Sequence, residues 1–535
     1  MKRSPLRRTV ALLAVLALAC TRLQGEPSPE PSPPEPTPSP EPTTRAQEAP
    51  RPSVLADGLG FDGVFRSPVS LDTRDALPEA FRAELALAKQ AGARYIRLHS
   101  ATDAGFSQLA LETLGDDLTR RDQTVQWTQE AGLEPIIMLG PWPGQRPGTF
   151  SSTYLPDESS YRAYVARVVE RYDGDGVDDM PGLLRPVTVF EADNEPDLHY
   201  RRAVGYDAES SRRSKAKGKG KGRPGEGAGR QRMTKEDVRT QRGKKGKGKS
   251  KGQKARRSRR GSELPSMSAA GFQSPREYAT LYRWTVEAAQ SSSPDVVVLP
   301  AGLSGIKTPF GRQYWSAFLD EPGISELVPV TNIHVHLDAG SELMLMRAIS
   351  GARASRSQAI WLTEVSAPDS LGARQHAAMV ARVLFTAMAN GVDVVLWHAL
   401  RDPAAGAEAE HATGSLFSEE PKLAAHTYRA VAGLLAEIPH GGLSPHEAPS
   451  GSYAVRWTDT SGGVGYAAWA TAPAGASLML SAPEGATRAV VAGLVLADGV
   501  PFGVEAPVLE EREEAVEGGL VSVELTEEPV TIHFR

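Results

Sequence analysis

From residue 59 to about residue 438 the chain alternates two hydrophobic rhythms. Short runs rich in Val, Ile and Leu recur, and each is followed by a longer stretch whose apolar residues fall three and four apart. The first rhythm reads as a strand buried on both faces, the second as an amphipathic helix. "LGFDGVF" (59–65) is the first strand, with a helix at "PEAFRAELALAKQAG". Strands follow at "ARYIRLHS" (93–100), "LEPIIMLG" (133–140) and "VTVFEADNE" (187–195), then at "DVVVLPAG" (295–302), "VTNIHVH" (330–336), "AIWLTEV" (359–365) and "VDVVLWHAL" (392–400). Helical stretches such as "SSYRAYVARVVERY", "SPREYATLYRWTVEAAQ" and "RQHAAMVARVLFTAMANG" separate them. Eight strand-then-helix units predict an α/β fold, a (β/α)8 TIM barrel over residues 54–438. An open doubly wound sheet is the lesser alternative. After about residue 440 the rhythm changes. "SYAVRWTD", "VGYAAWAT", "ASLMLSA", "RAVVAGLVL" and "PVTIHFR" are short and separated by Gly, Pro, Ser and Asp, which predicts an all-β, β-sandwich-like accessory domain over 439–535.

Two segments have neither rhythm. Residues 1–19 open with a basic stretch and continue in "TVALLAVLALA", too short to span a bilayer as a helix but suited to a signal peptide. The run ends at Cys20, the only cysteine. A cysteine there resembles a bacterial lipobox, so Cys20 is the expected lipidation site, and a Pro-, Glu- and Ser-rich tether runs to residue 53. With no second cysteine the fold holds by packing, without an intrachain disulfide. The second segment, 205–265, follows the fourth strand. Between Arg212 and Arg260 it carries 22 Lys and Arg against three acidic residues, a balance of +19. The whole chain carries −5, so the remainder carries −24. This Gly-rich, apolar-poor insert is expected to be disordered. Counterion release could bring it to nucleic acid or anionic lipopolysaccharide. It has no regularly spaced aromatics for base stacking, so a solvated loop without a nucleic-acid partner is the favoured reading.

The fourth strand poses the chemical question. In "FEADNEPDLHY" (190–200) the carboxylates Glu191, Asp193, Glu195 and Asp197 fall on every second residue. On one continuous strand all four would face one way and repel. In a TIM barrel the active site lies at the C-terminal ends of the strands. The polar residues there are Arg97 and His99, Asn194 and Glu195, His334 and His336, Glu364, and Trp397 with His398; Trp142 lies just past the third strand. No group among them has ordinary metal-ligand spacing, and no Gly-rich phosphate loop follows a strand. Two carboxylates across a barrel mouth, with aromatic platforms, suit glycosidic bond cleavage.

"FEADNEPDL" is similar to the fourth-strand signature of the retaining clan of (β/α)8 glycoside hydrolases, and looks closest to family 39, which includes β-xylosidases and α-L-iduronidases. "YIRLHS", "LEPIIMLG", "NIHVH" and "WLTEV" resemble that family's second, third, sixth and seventh strands. The resemblance implies Glu195 as acid/base and Glu364 as nucleophile of a retaining O-glycoside hydrolase acting on a polysaccharide or oligosaccharide. It implies that Asn194 bonds the sugar 2-hydroxyl, that Arg97 and His336 position and ionise Glu364, and that Trp397 floors the sugar site. His336 stands where the clan usually has Tyr. Substrate contact is the expected role of His99, Trp142 and His334. The carboxylate row is expected to raise the pKa of Glu195. Glu191 is expected to be buried and paired lower in the barrel, and Asp197 to cap or hold the loop after Pro196.

No cofactor is expected. "YDGDGVDDMPG" (172–182) resembles part of a calcium loop through Asp173, Asp175, Asp178 and Asp179, but lacks the terminal bidentate Glu; the alternative is an acidic turn. The expected partners are a carbohydrate and, through Cys20, a membrane. The expected location is a bacterial cell envelope, as an outer-membrane-anchored or extracellular protein. Two other functions stay open: a glycan-binding surface lipoprotein without turnover, and an envelope adhesion protein working through the basic insert.

Overall fold

The computed structural model describes residues 58–62, 77–98, 106–114, 118–141, 155–204, 206, 273–337, 342–355, 359–368, 370–401, 414–418, 420–439, 441–471, 475–496, 502 and 509–535. Cys20 and the apolar run before it, the tether, the charged part of the insert, His99 and Trp142 lie outside the described residues.

All eight expected barrel strands are present: β1 Gly58–Asp62, β2 Tyr95–Leu98, β3 Glu134–Leu139, β4 Val189–Ala192, β5 Val297–Pro300, β6 Val330–His336, β7 Ala359–Ser366 and β8 Val392–His398. They form one parallel sheet in the order β5-β4-β3-β2-β1-β8-β7-β6. Its two ends meet where Leu303, just past β5, bridges Ile333 of β6. The Leu303 amide donates to the Asn332 carbonyl at 3.1 Å, and the His334 amide donates to the Leu303 carbonyl at 3.0 Å. That closes the TIM barrel.

Strand side chains alternate between the helix layer and the barrel interior. Tyr95, Ile136, Val189, Leu299, Val330, Trp361, Val394 and Leu396 meet inside as an apolar plug. Strand β1 contributes glycine there, because a Cβ on Gly60 would lie 2.2 Å from the Tyr95 carbonyl and 2.8 Å from Leu396 Cδ2. Two residues further along the strands the same inward face carries Asp62, Arg97, Met138, Glu191, Asn332, Thr363 and His398. Apolar residues thus fill the bottom of the barrel and polar ones its C-terminal mouth.

Strand β7 breaks the alternation once. Leu362 pairs with Ile333 and Val395, but the next pairs are Glu364 with His334 and Val365 with Trp397. The extra residue is a β-bulge, which re-aims the side chain after it. Thr363 and Glu364, neighbours in sequence, therefore both reach interior partners.

Beyond the helix Leu423–Ala436 the chain becomes all-β, as expected. Strands β9 Leu443–His446, β10 Ser452–Thr458, β11 Val464–Ala470, β13 Arg488–Gly493, β14 Glu511–Ala515 and β16 Val530–Phe534 form an antiparallel sheet. Strands β12 Ala476–Ser481 and β15 Leu520–Leu525 pair separately. Tyr466, Ala468 and Ile532 pack with Leu478, Leu480 and Val523 between the two layers. Val455, Trp457 and Trp469 join the core that runs through the barrel helices, with Trp457 stacked on Phe385 at 6.1 Å. The described residues of the barrel helices and of the β layer thus share one core.

Candidate active site

The carboxylate row is not one strand. β4 stops at Ala192, short of the expected residue 195. Asp193 (φ 69°) and Glu195 (φ 45°) both adopt the left-handed backbone region, at a cost of about 1 kcal/mol each for non-glycine residues. Such outliers gather where a site needs a side chain aimed against local preference. The turn sends the four groups to four environments. Glu191 stays inside the barrel. Asp193 accepts from its neighbour's amide, Asn194 N–H (2.8 Å), and from Gln273 Nε2 (3.0 Å), and burial pushes its carboxyl up to about 7. Glu195 stands at the N-cap position of the helix Pro196–Ala203 without a side-chain cap, and its carboxylate faces His334 in the mouth. Asp197 does not hold the loop after Pro196. It reaches across to accept the Ser304 and Gly305 amides beyond β5 at 3.1 and 2.7 Å. Burial and the charge of Glu195 raise it to about 6.

Arg97 is the hub of the mouth. Its Nε and Nη2 donate to Glu191 at 2.5 and 3.1 Å, and Nη1 donates to Asp62 at 2.7 Å and to Glu364 at 2.8 Å. Nη2 also donates to Asn194 Oδ1 at 2.8 Å. A fully buried guanidinium in a fixed fork can serve this many acceptors; an ammonium could not. Burial works against its charge, but Glu191, Asp62 and Glu364 together raise its pKa well above the ordinary value. Glu191 is completed by the Gly302 amide (3.1 Å) and Asn332 Nδ2 (2.9 Å).

Glu195 and Glu364 meet across the barrel. Carboxylate oxygens of the two, together with a ring nitrogen of His336, lie within 4.8 Å of one another. His334 lies between them, its Nδ1 3.1 Å from Glu195 Oε1 and 3.4 Å from Glu364 Oε1. His336 Nε2 is 3.4 Å from the other oxygen of Glu364, and its Nδ1 is 2.8 Å from Ser366 Oγ. Burial alone would favour the neutral acid at Glu364. His334, His336 and Arg97 outweigh it and hold this carboxyl well below its usual range. At Glu195 burial again opposes ionisation, yet the His334 hydrogen bond leaves the pKa lowered. This corrects the expected rise. The row does not surround Glu195 with negative charge, because the turn disperses it, and the nearest partner is an imidazole.

Trp397 is also corrected. It is fully buried on the helix side of β8, with its indole N–H donating to the Gly414 carbonyl at 2.9 Å. It cannot floor a sugar site. The next residue, His398, has the inward parity. Its Nδ1 lies 2.6 Å from Asp62 Oδ2, and its ring meets His336 edge-on at 5.7 Å. Burial lowers the His398 pKa, but Asp62 more than compensates and brings it up to about 9. Sequence reasoning passed over Asp62, Asn332 and Thr363. Counting two residues on from Gly60, Val330 and Trp361 would have found them.

Far from the mouth, Asp173, Asp175 and Asp179 bring one oxygen each within 4.8 Å of the others, and Asp178 is not in that group. Loop amides of Gly174, Asp175, Gly176 and Val177 donate to these three carboxylates, as in an acidic turn.

No protein-family model matches the sequence, and no curated protein matches it. Solved structures do match the fold. A family 39 glycoside hydrolase from Bacteroides cellulosilyticus superposes with a TM-score of 0.54 at 14% identity, over 89% of this chain and 80% of that one. A family 51 α-L-arabinofuranosidase from Bifidobacterium longum gives 0.51 at 12% identity, over 90% and 97%. A glucosidase from Croceicoccus marinus gives 0.50 at 11% identity, over 90% and 96%. The chain has the (β/α)8 fold of these glycoside hydrolases, with a C-terminal β layer.

Proposed function

We propose that the protein is a retaining O-glycoside hydrolase in which Glu364 is the nucleophile and Glu195 the acid/base. The observation that carries this reading is the approach of the two glutamates at the barrel mouth, with oxygens within 4.8 Å. Double displacement uses carboxyl groups about 5–5.5 Å apart, whereas inversion needs about 6.5–9.5 Å to admit a water. The environments lower both carboxyls, Glu364 the more strongly. Glu364 is held as an anion by Arg97 and two histidines and can attack the anomeric carbon. Among the described residues Glu195 pairs with His334 and with no arginine, and it gives its proton to the leaving oxygen and then takes one from water. Asn194 Oδ1 is occupied by Arg97, so its amide N–H groups are the ones left for a sugar hydroxyl. The match to glycoside hydrolase structures supports the reading at the level of fold. The substrate in this proposal is a polysaccharide or oligosaccharide, and Cys20, at the end of the apolar run 9–19, is lipidated and anchors the chain at the cell envelope. Labelled fatty acid should enter the wild type and not Cys20→Ser.

A panel of aryl glycosides of both anomeric configurations tests the chemistry. Glu364→Ala should lose turnover on every substrate, by a factor on the order of 10^4 or more. Glu195→Ala should keep the first step on substrates with good leaving groups. Azide should then rescue it with retention, giving a β-glycosyl azide from a β-glycoside. Azide rescue of Glu364→Ala, with inverted product, marks the missing nucleophile. The two outcomes with residues exchanged would reverse the assignment, and a fully active Glu364→Ala would end it.

A further inference from the structure

His334 is fully buried between the two glutamates, and the hydrogen bonds behind it leave its tautomer no choice. The chain of reasoning starts at the Pro300 carbonyl, which can only accept. Asn332 donates to it at 2.9 Å and to Glu191 at 2.9 Å, both through Nδ2. Oδ1 of Asn332 must then face the other way, where it accepts the Thr363 hydroxyl at 2.7 Å. With its single proton committed to Asn332, Thr363 can only accept from His334, whose Nε2 lies 3.0 Å away. Nε2 of His334 therefore carries a proton. The ring is held in place by the end of β5: a Cβ on Gly302 would lie 1.9 Å from Nε2, so glycine leaves the space the imidazole occupies.

The opposite edge of the ring faces acceptors. Nδ1 is 3.1 Å from Glu195 and 3.4 Å from Glu364. A bare lone pair there would confront two carboxylates. We infer that His334, fixed as the Nε2–H form by the Asn332–Thr363 relay, holds a second proton at Nδ1 against Glu195 and so sets how readily Glu195 protonates the leaving group. The inference rests on the acid/base reading of Glu195. The charged groups that bear on this ring are Glu195 after β4, Glu364 on β7 and Arg97 on β2. The two carboxylates favour the imidazolium, and Arg97 opposes it; with burial also opposing, the carboxylates prevail and His334 is raised. In the first step the proton on the free oxygen of Glu195 moves to the glycosidic oxygen as the C–O bond breaks and Glu364 bonds to carbon. The charge left on Glu195 is met by the His334 Nδ1–H donor. In the second step water gives that proton back to Glu195 as its oxygen displaces Glu364, while His334 keeps both of its own. Thr363 and Asn332 touch no substrate in this scheme and are positioning residues.

Nitrogen-15 histidine labelling of the intact wild type tests the proton directly, with the His334 signals assigned through His334→Gln. The expected spectrum has Nε2 protonated throughout, and both nitrogens protonated at neutral pH. A His334 with bare Nε2 would overturn the relay. Thr363→Val keeps the shape and removes both the acceptor for His334 and the donor to Asn332. On substrates with poor leaving groups its kcat/KM should fall about tenfold, the worth of one hydrogen bond. Activated aryl glycosides should be spared, and Thr363→Ser should restore the difference. An equal fall on both substrate classes would show a merely structural role and overturn the proposal. If the wild type cleaved no glycoside at all, the proposed function would fail, while the nitrogen-15 spectrum would still decide where the His334 protons are.

Discussion

Two layers of one barrel, a single two-residue step apart on the same strands, are built on opposite principles. The lower layer, with Tyr95, Ile136, Leu299, Trp361 and Leu396, is apolar and close-packed. The upper layer, with Asp62, Arg97, Glu191, Glu364 and His398, is ionic and just as deeply buried, apart from the edge of His398. The lower layer holds the barrel by removing apolar area from water. The upper layer pays desolvation for every charge and is tolerable only because each one has partners. The division lets a strand hold its place with one half and present chemistry with the other. The bulge at Thr363–Glu364 is where the two demands collide, since both side chains are needed inside.

The contrast can be broken first at Arg97. Arg97→Met leaves Asp62, Glu191 and Glu364 without their shared cation. Removing one partner of a buried pair costs about 3–5 kcal/mol, and turnover should vanish with it. Denaturant titrations should show this deficit shrinking at acid pH, where the orphaned carboxylates protonate. A deficit independent of pH would mean that the guanidinium acts there mainly by packing.

In the lower layer Trp361→Ala should cost a comparable or slightly smaller amount, about 3–5 kcal/mol from lost contacts and a cavity, with no pH dependence. The folded fraction should keep its pH–rate profile. A shifted profile would show that the two layers are not energetically separate.

The smallest effect sharpens the picture at the rim. The folded-state pKa of His398 is raised to about 9, above the ordinary 6.5. A raised pKa means that the charged form is stabilised by folding. That contribution is fully present below about pH 6.5 and is lost as pH rises through about 9. Stability should therefore decline over this window by no more than about 3 kcal/mol, less for the screening its partly exposed edge receives. His398→Gln should flatten the decline in unfolding curves measured across the window; an unchanged slope would assign it to other groups.

Much of this was legible in the chain. The Val- and Ile-rich runs placed eight strands, with β6 over 330–336 as expected, because a strand buried on both faces must be apolar almost throughout. The barrel rule then sent attention to strand ends, and Arg97, Glu195, His334, His336 and Glu364 do converge there. What failed were statements about which way a side chain points. "AIWLTEV" has no mark of a bulge; uniform alternation would send Thr363 inward and Glu364 out. Trp397 and His398 are neighbours of opposite parity, and only the register with β1 shows that His398 is the inward one. A strand continuous to residue 195 would put the carboxylate row on one face, and nothing local announces the two left-handed residues that divide it. Hydrophobic pattern depends on burial, which the sequence carries residue by residue. Direction depends on register, bulges and partners tens or hundreds of residues away. The protons of His334, fixed by Pro300, Asn332 and Thr363 on three different strands, belong to the closed barrel alone.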